Sequence, residues 1–329
     1  MDEEQYVLSA ALSAGLALPH SCRTGNCGSC KALLLSGEII HDEFDDSALS
    51  DSQQQSGFVL LCRCRAKSNL EINIEEFGEL LSPARYWPAR ISSLRPLNHD
   101  VMQMRVLLAP GKDFNCNAGQ YMDFVLPDSK LRSYSIAGID GRQIDFHIRR
   151  VDDGQFSERV FNEYRIGDIV RLYGPLGTFF IRKENTQPII MLAGGTGIAP
   201  IKSMFEQIST QAFTLPTRLY WGVRALEDVY LKYWLEQFAR NNSWFEYTIV
   251  LSKADEFYPS RKGLVHQAVL EDHNRLEPYQ VYASGPPAMI KAAQSSFVTA
   301  GLDPEKLYFD SFDYSADTIA CINASRIKK

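Results

Sequence analysis

The stretch "PHSCRTGNCGSCKALLLSGE", residues 19–38, sets Cys22, Cys27 and Cys30 in a loop laced with Gly25 and Gly28, just ahead of a strand-like apolar run. Thiols packed this closely imply a shared task. Downstream, "LLCRC" offers Cys62 or Cys64 as a fourth, and Cys62 is favoured because it leaves the apolar run "FVLL" as a strand end would. Cys64, one pleat further on, is read as a packing residue.

The spacing C-x4-C-x2-C with a distant fourth cysteine is that of the plant-type [2Fe–2S] cluster, with Cys22, Cys27, Cys30 and Cys62 as ligands. Gly25 and Gly28 let the backbone wrap closely enough for amide N–H groups to approach the sulfurs. A structural zinc site is the competing reading, but zinc knuckles usually present two close pairs and this loop has one. An odd total of seven cysteines also argues for thiolate ligands over disulfides.

The 329 residues carry a formal charge of −6 and a pI near 5.6, so no broad basic surface favours nucleic acid, and an acidic docking face is open. The run "YVLSAALSAGLAL" follows Asp2, Glu3 and Glu4, where a secretory signal would need positive charge. It reads as an amphipathic helix, which predicts a cytoplasmic protein with no membrane span.

The pattern changes near "SPAR" and "KENTQP", which divides the chain at 1–82, 83–185 and 186–312, with 313–329 as a loosely attached tail that includes Cys321. In the second part, "ARISSLRPL", "VMQMRVLL", "QYMDFVLP", "IDFHIRRV" and "DIVRLYGPLG" are short β-type runs spaced for a small antiparallel barrel. The third part alternates strands with helix-length segments, which predicts a parallel α/β sheet.

Within the barrel, "RSYS" comprises Arg132, Ser133, Tyr134 and Ser135. An arginine there suits a phosphate, the tyrosine an aromatic ring, and Ser135 a ring nitrogen. Gly154, Phe156 and Ser157 then open a helix whose free N–H groups suit an anion. Taken alone, RSYS is also what an ordinary strand with one outward arginine looks like.

"PIIMLAGGTGIAPIKSMF" is a buried strand, a glycine turn with Gly194, Gly195 and Gly197, and a helix, as a dinucleotide requires. A second turn, "YASGPPAM", brings Ser284, Gly285 and Pro286 to the same end of the sheet. Arg224, Glu227 and Asp228 follow "RLYWGV", and carboxylates there would repel a ribose phosphate, which favours NADH over NADPH.

Together and in this order, these residues resemble the reductases that fuse a plant-type ferredoxin domain to a ferredoxin-NADP reductase-like module. "CRTGNCGSCKALLLSGE", "RSYSIA", "GPLGTFFIR", "LAGGTGIAPIKSM" and "GLVHQAVLED" resemble in particular the CDP-6-deoxy-delta-3,4-glucoseen reductases. The resemblance implies a multidomain α+β and α/β chain. Its parts would be a β-grasp ferredoxin domain, an antiparallel β-barrel for FAD and a parallel α/β nucleotide-binding domain.

It further implies FAD held by Arg132, Tyr134 and Ser135, by the strand of His147, Ile148 and Arg149, and by Gly154 to Ser157. Thr196 would lie near the nicotinamide, Phe312 of "FDSF" would cover the flavin, and Tyr134, Ser135 and Ser284 would form the reacting centre. Electrons would pass from NADH through FAD and the cluster to a partner protein, a cluster-containing pyridoxamine-phosphate dehydratase of deoxysugar synthesis. An oxygenase component is the competing acceptor, and a redox-sensing or carrier module of poor turnover the reading from another class.

Two departures bear on this. Ser284 stands where many relatives carry a cysteine, which predicts slower hydride transfer. The chain also starts just before Tyr6, without the leading hairpin of such ferredoxin domains, which predicts an exposed sheet edge and a less stable cluster.

Overall fold

The structure, a computed structural model, describes residues 5–74, 81–111, 113–152, 154–182, 184, 186–210, 213–253 and 261–312. The proposed tail, with Cys321, lies outside the described residues.

The cysteine-rich part opens with the helix Val7–Ser13, whose Val7, Leu8 and Leu12 are buried. The N–H of Leu8 donates to the Leu61 carbonyl at 2.9 Å, and the Tyr6 hydroxyl donates to Asp42 at 2.5 Å, so the start of the helix is tied to the domain. Beneath the helix, the strand Lys31–Ser36 pairs antiparallel with Phe58–Leu60 on one side and Glu71–Asn73 on the other. A ribbon of Ile39–His41 with Cys64–Ala66 completes it.

The register of that sheet decides the cysteine geometry. Lys31 opposes Leu60, and the N–H of Leu61 donates to the Cys30 carbonyl at 3.1 Å, so Cys30 and Cys62 leave their strands side by side.

Next comes a closed barrel of antiparallel strands in the order 143–149, 101–108, 85–96, 169–176, 121–125, 131–140. Side chains alternate along 101–108 between fully and partly buried, as expected of barrel strands. Phe124, Phe146 and Phe156 meet in the interior with ring centroids 4.7–5.0 Å apart. The sixth strand, Leu131–Asp140, carries RSYS and closes the barrel by pairing with both 121–125 and 143–149. RSYS is therefore a strand, and its outer half turns toward the nucleotide-binding part.

The last part is an all-parallel sheet in the order 261–262, 245–251, 217–223, 189–194, 280–285, 307–311. Ile189–Gly194 is buried at every position, as a central parallel strand must be. The chain runs outward through 217–223 and 245–251, then returns to 280–285 beside 189–194, which opens a crevice at their carboxyl ends. The edge strand Leu307–Ser311 delivers Phe312 to that crevice. Among the described residues, no helix is long and apolar enough to cross a membrane.

His147 joins barrel to sheet. It is 5% exposed, and its Nδ1 lies 3.3 Å from the Tyr230 hydroxyl of the nucleotide-binding part. Burial, the largest cause, pushes its pKa down to about 3. The unfolded chain therefore takes up a proton below about pH 6.5 that the folded chain refuses until about pH 3, so stability falls as pH drops through that window. Urea unfolding at pH 7.5 and pH 5 is expected to show a loss that His147→Gln reduces by about 2 kcal/mol. An unchanged pH dependence in the variant would show that His147 is protonated in the fold.

Candidate active site

The loop after Ser21 gathers its sulfurs in two pairs: Cys27 hydrogen-bonds Cys22, and Cys30 hydrogen-bonds Cys62. The Thr24 N–H also points at the Cys22 sulfur, 3.4 Å away. These bonds draw the Cys22 thiol down, whereas sharing and burial push Cys27 and Cys30 well up. Four soft donors gathered in two close pairs, with the Thr24 amide turned toward one of them, fit a thiolate-held cluster.

Gly28 makes the wrap possible. It adopts φ +72°, and an added Cβ would lie 2.7 Å from the Ala48 carbonyl oxygen. Cys64 stays apart, fully buried and opposite His41 in the ribbon, where burial raises it to about 12.

A cleft of about 1020 Å³ runs from Cys22 along the barrel to the crevice of the parallel sheet. Arg132, Ser133, Tyr134 and Ser135 line its barrel wall, with His147 and Arg149 from the neighbouring strand. Tyr134 packs edge-on to Phe124 at 5.8 Å and tilted on Phe156 at 5.3 Å, so its ring is braced from behind. Gly154, Phe156 and Ser157 line the cleft at the start of the helix Gln155–Asn162, whose N-terminus has no side-chain cap. The free N–H groups there suit an anion.

Arg149 pairs with Asp100 at 3.2 Å, but its Nε and one terminal nitrogen are buried without a hydrogen-bond acceptor. Its guanidinium also lies 3.1 Å from where a Cβ on Gly195 would stand. A half-buried cation with two nitrogens short of acceptors among the described residues, beside a glycine turn and a helix start, fits a pyrophosphate-bearing cofactor.

On the sheet side, Gly194, Gly195, Thr196, Pro286 and Phe312 face the cleft. The glycine turn is held by the Trp221 indole N–H, which donates to the Gly195 carbonyl at 2.8 Å. The Ser284 hydroxyl is fully buried and has no hydrogen-bond partner among the described residues, a polar group behind the crevice. Gly197 and Gly285 lie behind the lining, packed against each other, and Ile148 points into the barrel core.

Some polar groups read as cofactor contacts are already engaged. The Ser133 hydroxyl donates to Asp123 at 2.6 Å, and that of Ser157 bonds the backbone of Val151. Of the three charged residues after Val223, only Arg224 lines the cleft. Asp228 instead folds back to accept from the Ala225 N–H at 3.0 Å, and Glu227 points to solvent.

Three residues were missed by sequence reasoning. Arg23 forks onto Asp123 through two 2.9 Å bonds, and Asp310 accepts from Ser21 at 2.9 Å and from Ser135 at 3.1 Å. Arg23 sits inside the cysteine motif and Asp310 inside "FDSF", but nothing local tells that either reaches another domain.

A thiolate loop, a barrel cleft with a braced tyrosine and a switch-point crevice with a glycine turn define an NAD(P)H-dependent iron–sulfur flavoprotein. Three families match in tandem: a 2Fe-2S iron-sulfur cluster binding domain over residues 1–67, an oxidoreductase FAD-binding domain over 88–181 and an oxidoreductase NAD-binding domain over 191–295. The chain is 36% identical over 314 residues to the CDP-6-deoxy-L-threo-D-glycero-4-hexulose-3-dehydrase reductase of Yersinia pestis, covering 94% of each. It is 32% identical to the reductase component of the naphthalene 1,2-dioxygenase system of Pseudomonas putida, covering 91% of this chain and 90% of that one.

Among solved structures, the cytochrome P450 reductase of Amycolatopsis superposes with a TM-score of 0.80 at 29% identity, covering 94% of this chain and 95% of the other. The chain belongs to the family of reductases that join a ferredoxin domain to FAD- and NAD-binding domains. It is an oxidoreductase that takes electrons from NAD(P)H and carries FAD and a [2Fe–2S] cluster.

Proposed function

We propose that this chain takes electrons from NADH and delivers them to a cluster-containing dehydratase of deoxysugar synthesis. The observation that carries this is the 36% identity across 94% of both lengths with a hexulose-3-dehydrase reductase, against 32% with a dioxygenase reductase. Residues 1–82 are taken as the cluster domain, 83–185 as the flavin domain, 186–312 as the nicotinamide domain and 313–329 as a tail.

What bound FAD supplies is the exchange of a two-electron hydride for single electrons, which a [2Fe–2S] cluster carries one at a time. Arg132, Arg149 and the N–H groups at Gly154 to Ser157 hold the phosphates. Tyr134, Ser135 and Phe312, which line the cleft, would hold the flat ring, the tyrosine and phenylalanine by aromatic contact and the serine by a hydrogen bond. Gly194 and Gly195 would admit the dinucleotide backbone, with Gly197 and Gly285 behind them letting helix and strand pack closely. Thr196 and Pro286 would orient the nicotinamide end, with the buried Ser284 hydroxyl behind them, and Cys22, Cys27, Cys30 and Cys62 would hold the cluster.

The test is anaerobic reduction by NADH of a purified iron–sulfur dehydratase and, in parallel, of a ring-hydroxylating oxygenase component. Reduction of the dehydratase alone is expected. Efficient reduction of only the oxygenase would replace this acceptor with the other.

The two carboxylates that would repel a ribose phosphate are turned from the cleft, which leaves Arg224 as the exposed cation such a phosphate would meet. Arg224→Ala is therefore expected to lower kcat/KM for NADPH roughly tenfold while changing NADH within about twofold, as loss of one charge-assisted phosphate contact implies. Equal losses for both donors would place Arg224 on a part of the dinucleotide they share.

A further inference from the structure

Cys22 is the cluster cysteine that lines the flavin cleft, and both of its chain neighbours bond across a domain boundary. Ahead of it, the Ser21 hydroxyl donates to Asp310 on the last strand of the parallel sheet, at 2.9 Å and 289 residues away. Behind it, Arg23 donates both arms of its guanidinium to Asp123 of the barrel at 2.9 Å, and one arm also to the Ser133 hydroxyl at 3.0 Å. The Tyr121 hydroxyl adds a 3.1 Å bond to the Ser21 carbonyl, with its ring 5.6 Å from the Arg23 guanidinium carbon.

These contacts are costly to leave unmade. Asp123 is fully buried, and Arg23 is the cation paired with it among the described residues, so the barrel holds a carboxylate whose charge is matched from the neighbouring domain. Arg23 itself takes φ +59°, a conformation that L side chains rarely adopt. A strained residue with a bidentate, desolvated partner has one seat, whereas domains within a chain otherwise shift against each other.

We propose that Ser21 and Arg23 are positioning residues that clamp the cluster loop against the flavin cleft and so fix the gap the electron crosses. This rests on the electron-transfer reading above. One electron leaves reduced flavin and reduces the oxidised cluster, and neither side chain is itself oxidised or reduced. Their effect is on separation alone, to which electron passage through protein is steeply sensitive.

The test uses the full chain with both cofactors, as wild type and as Arg23→Ala, Arg23→Lys and Ser21→Ala. Ferricyanide takes electrons from the flavin and cytochrome c from the cluster, so their ratio isolates the crossing. With iron and flavin contents equal to wild type, Arg23→Ala is expected to lower the cytochrome c to ferricyanide ratio several-fold, because electron passage falls off steeply with the separation the clamp sets. Ser21→Ala lowers it less, and Arg23→Lys, which keeps the charge without the fork, falls between alanine and wild type.

Two readouts stand apart from turnover. Amide hydrogen exchange over residues 20–30 is expected to rise in Arg23→Ala, while the EPR spectrum of the reduced cluster stays as in wild type. An unchanged ratio, or one that falls only in proportion to lost iron or with an altered cluster spectrum, overturns the proposal. A wild-type chain that holds no flavin, or whose cluster is not reduced by NADH, overturns the electron-transfer reading itself, and this proposal with it.

Discussion

Cys62→Ala is expected to lose the cluster and keep the flavin: iron falls to background, the flavin bands remain, and cytochrome c reduction disappears while ferricyanide reduction by NADH continues within about twofold. The reason is geometric. Cys62 bonds Cys30 at the end of the sheet register, and a cluster missing one of four thiolates is not retained. Cys64→Ala is the internal control, since it removes a buried thiol from the ribbon at a packing cost of about 1 kcal/mol and is expected to leave iron unchanged. Iron retained in the first variant and lost in the second would name Cys64 as the ligand.

Gly197→Ala is expected to cripple the nicotinamide side. The added carbon would stand 2.0 Å from the Ser284 carbonyl oxygen and 3.0 Å from the Gly285 nitrogen, so backbone has to move. The φ of Gly197 is −59°, which alanine accepts, and the penalty is steric alone. Pushing the helix Ile198–Ser209 off the strand Gln280–Gly285 costs about 1–3 kcal/mol in stability and spoils the crevice between them. The KM for NADH should rise roughly tenfold or more, as loss of a positioned binding surface implies. Gly138→Ala, whose new carbon first meets the carboxylate end of the Glu206 side chain at 3.2 Å and no backbone, should change stability by less than about 1 kcal/mol. Equal tolerance of both would mean that the two strand ends separate freely.

Much of this was legible in the chain because it depends on residues close in sequence. C-x4-C-x2-C is a local wrap, the runs "VMQMRVLL" and "TRLYWGV" coincide with the strands Val101–Leu108 and Thr217–Val223, and the glycine turn follows its strand directly. The fourth ligand reads from the chain as Cys62 in preference to Cys64, on its place at the end of an apolar run. Spacing allows either, and it is the antiparallel register of 31–33 on 58–60 that brings Cys62 to Cys30.

Other readings depended on how the backbone turned. Asp228 looked like a carboxylate facing a ribose, but it closes the turn at Ala225, because a short acidic side chain finds a nearby N–H more readily than it stays extended. The strands Leu131–Asp140 and Leu307–Ser311 were noticed for RSYS and FDSF and not as the elements that close the barrel and edge the sheet. Their pairing partners are remote or their apolar pattern is short, so periodicity does not mark them.

The sequence by itself determined the cofactor chemistry: which thiols, which strand-turn-helix, which arginine and tyrosine stand together. Only the tertiary structure decided where those pieces meet. Arg23 and Asp123 are 100 residues apart and Ser21 and Asp310 are 289 apart, and no local propensity records such a contact. It exists because burying Asp123 at the seam requires a cation, and the packing of three separately folded units brings Arg23 to it.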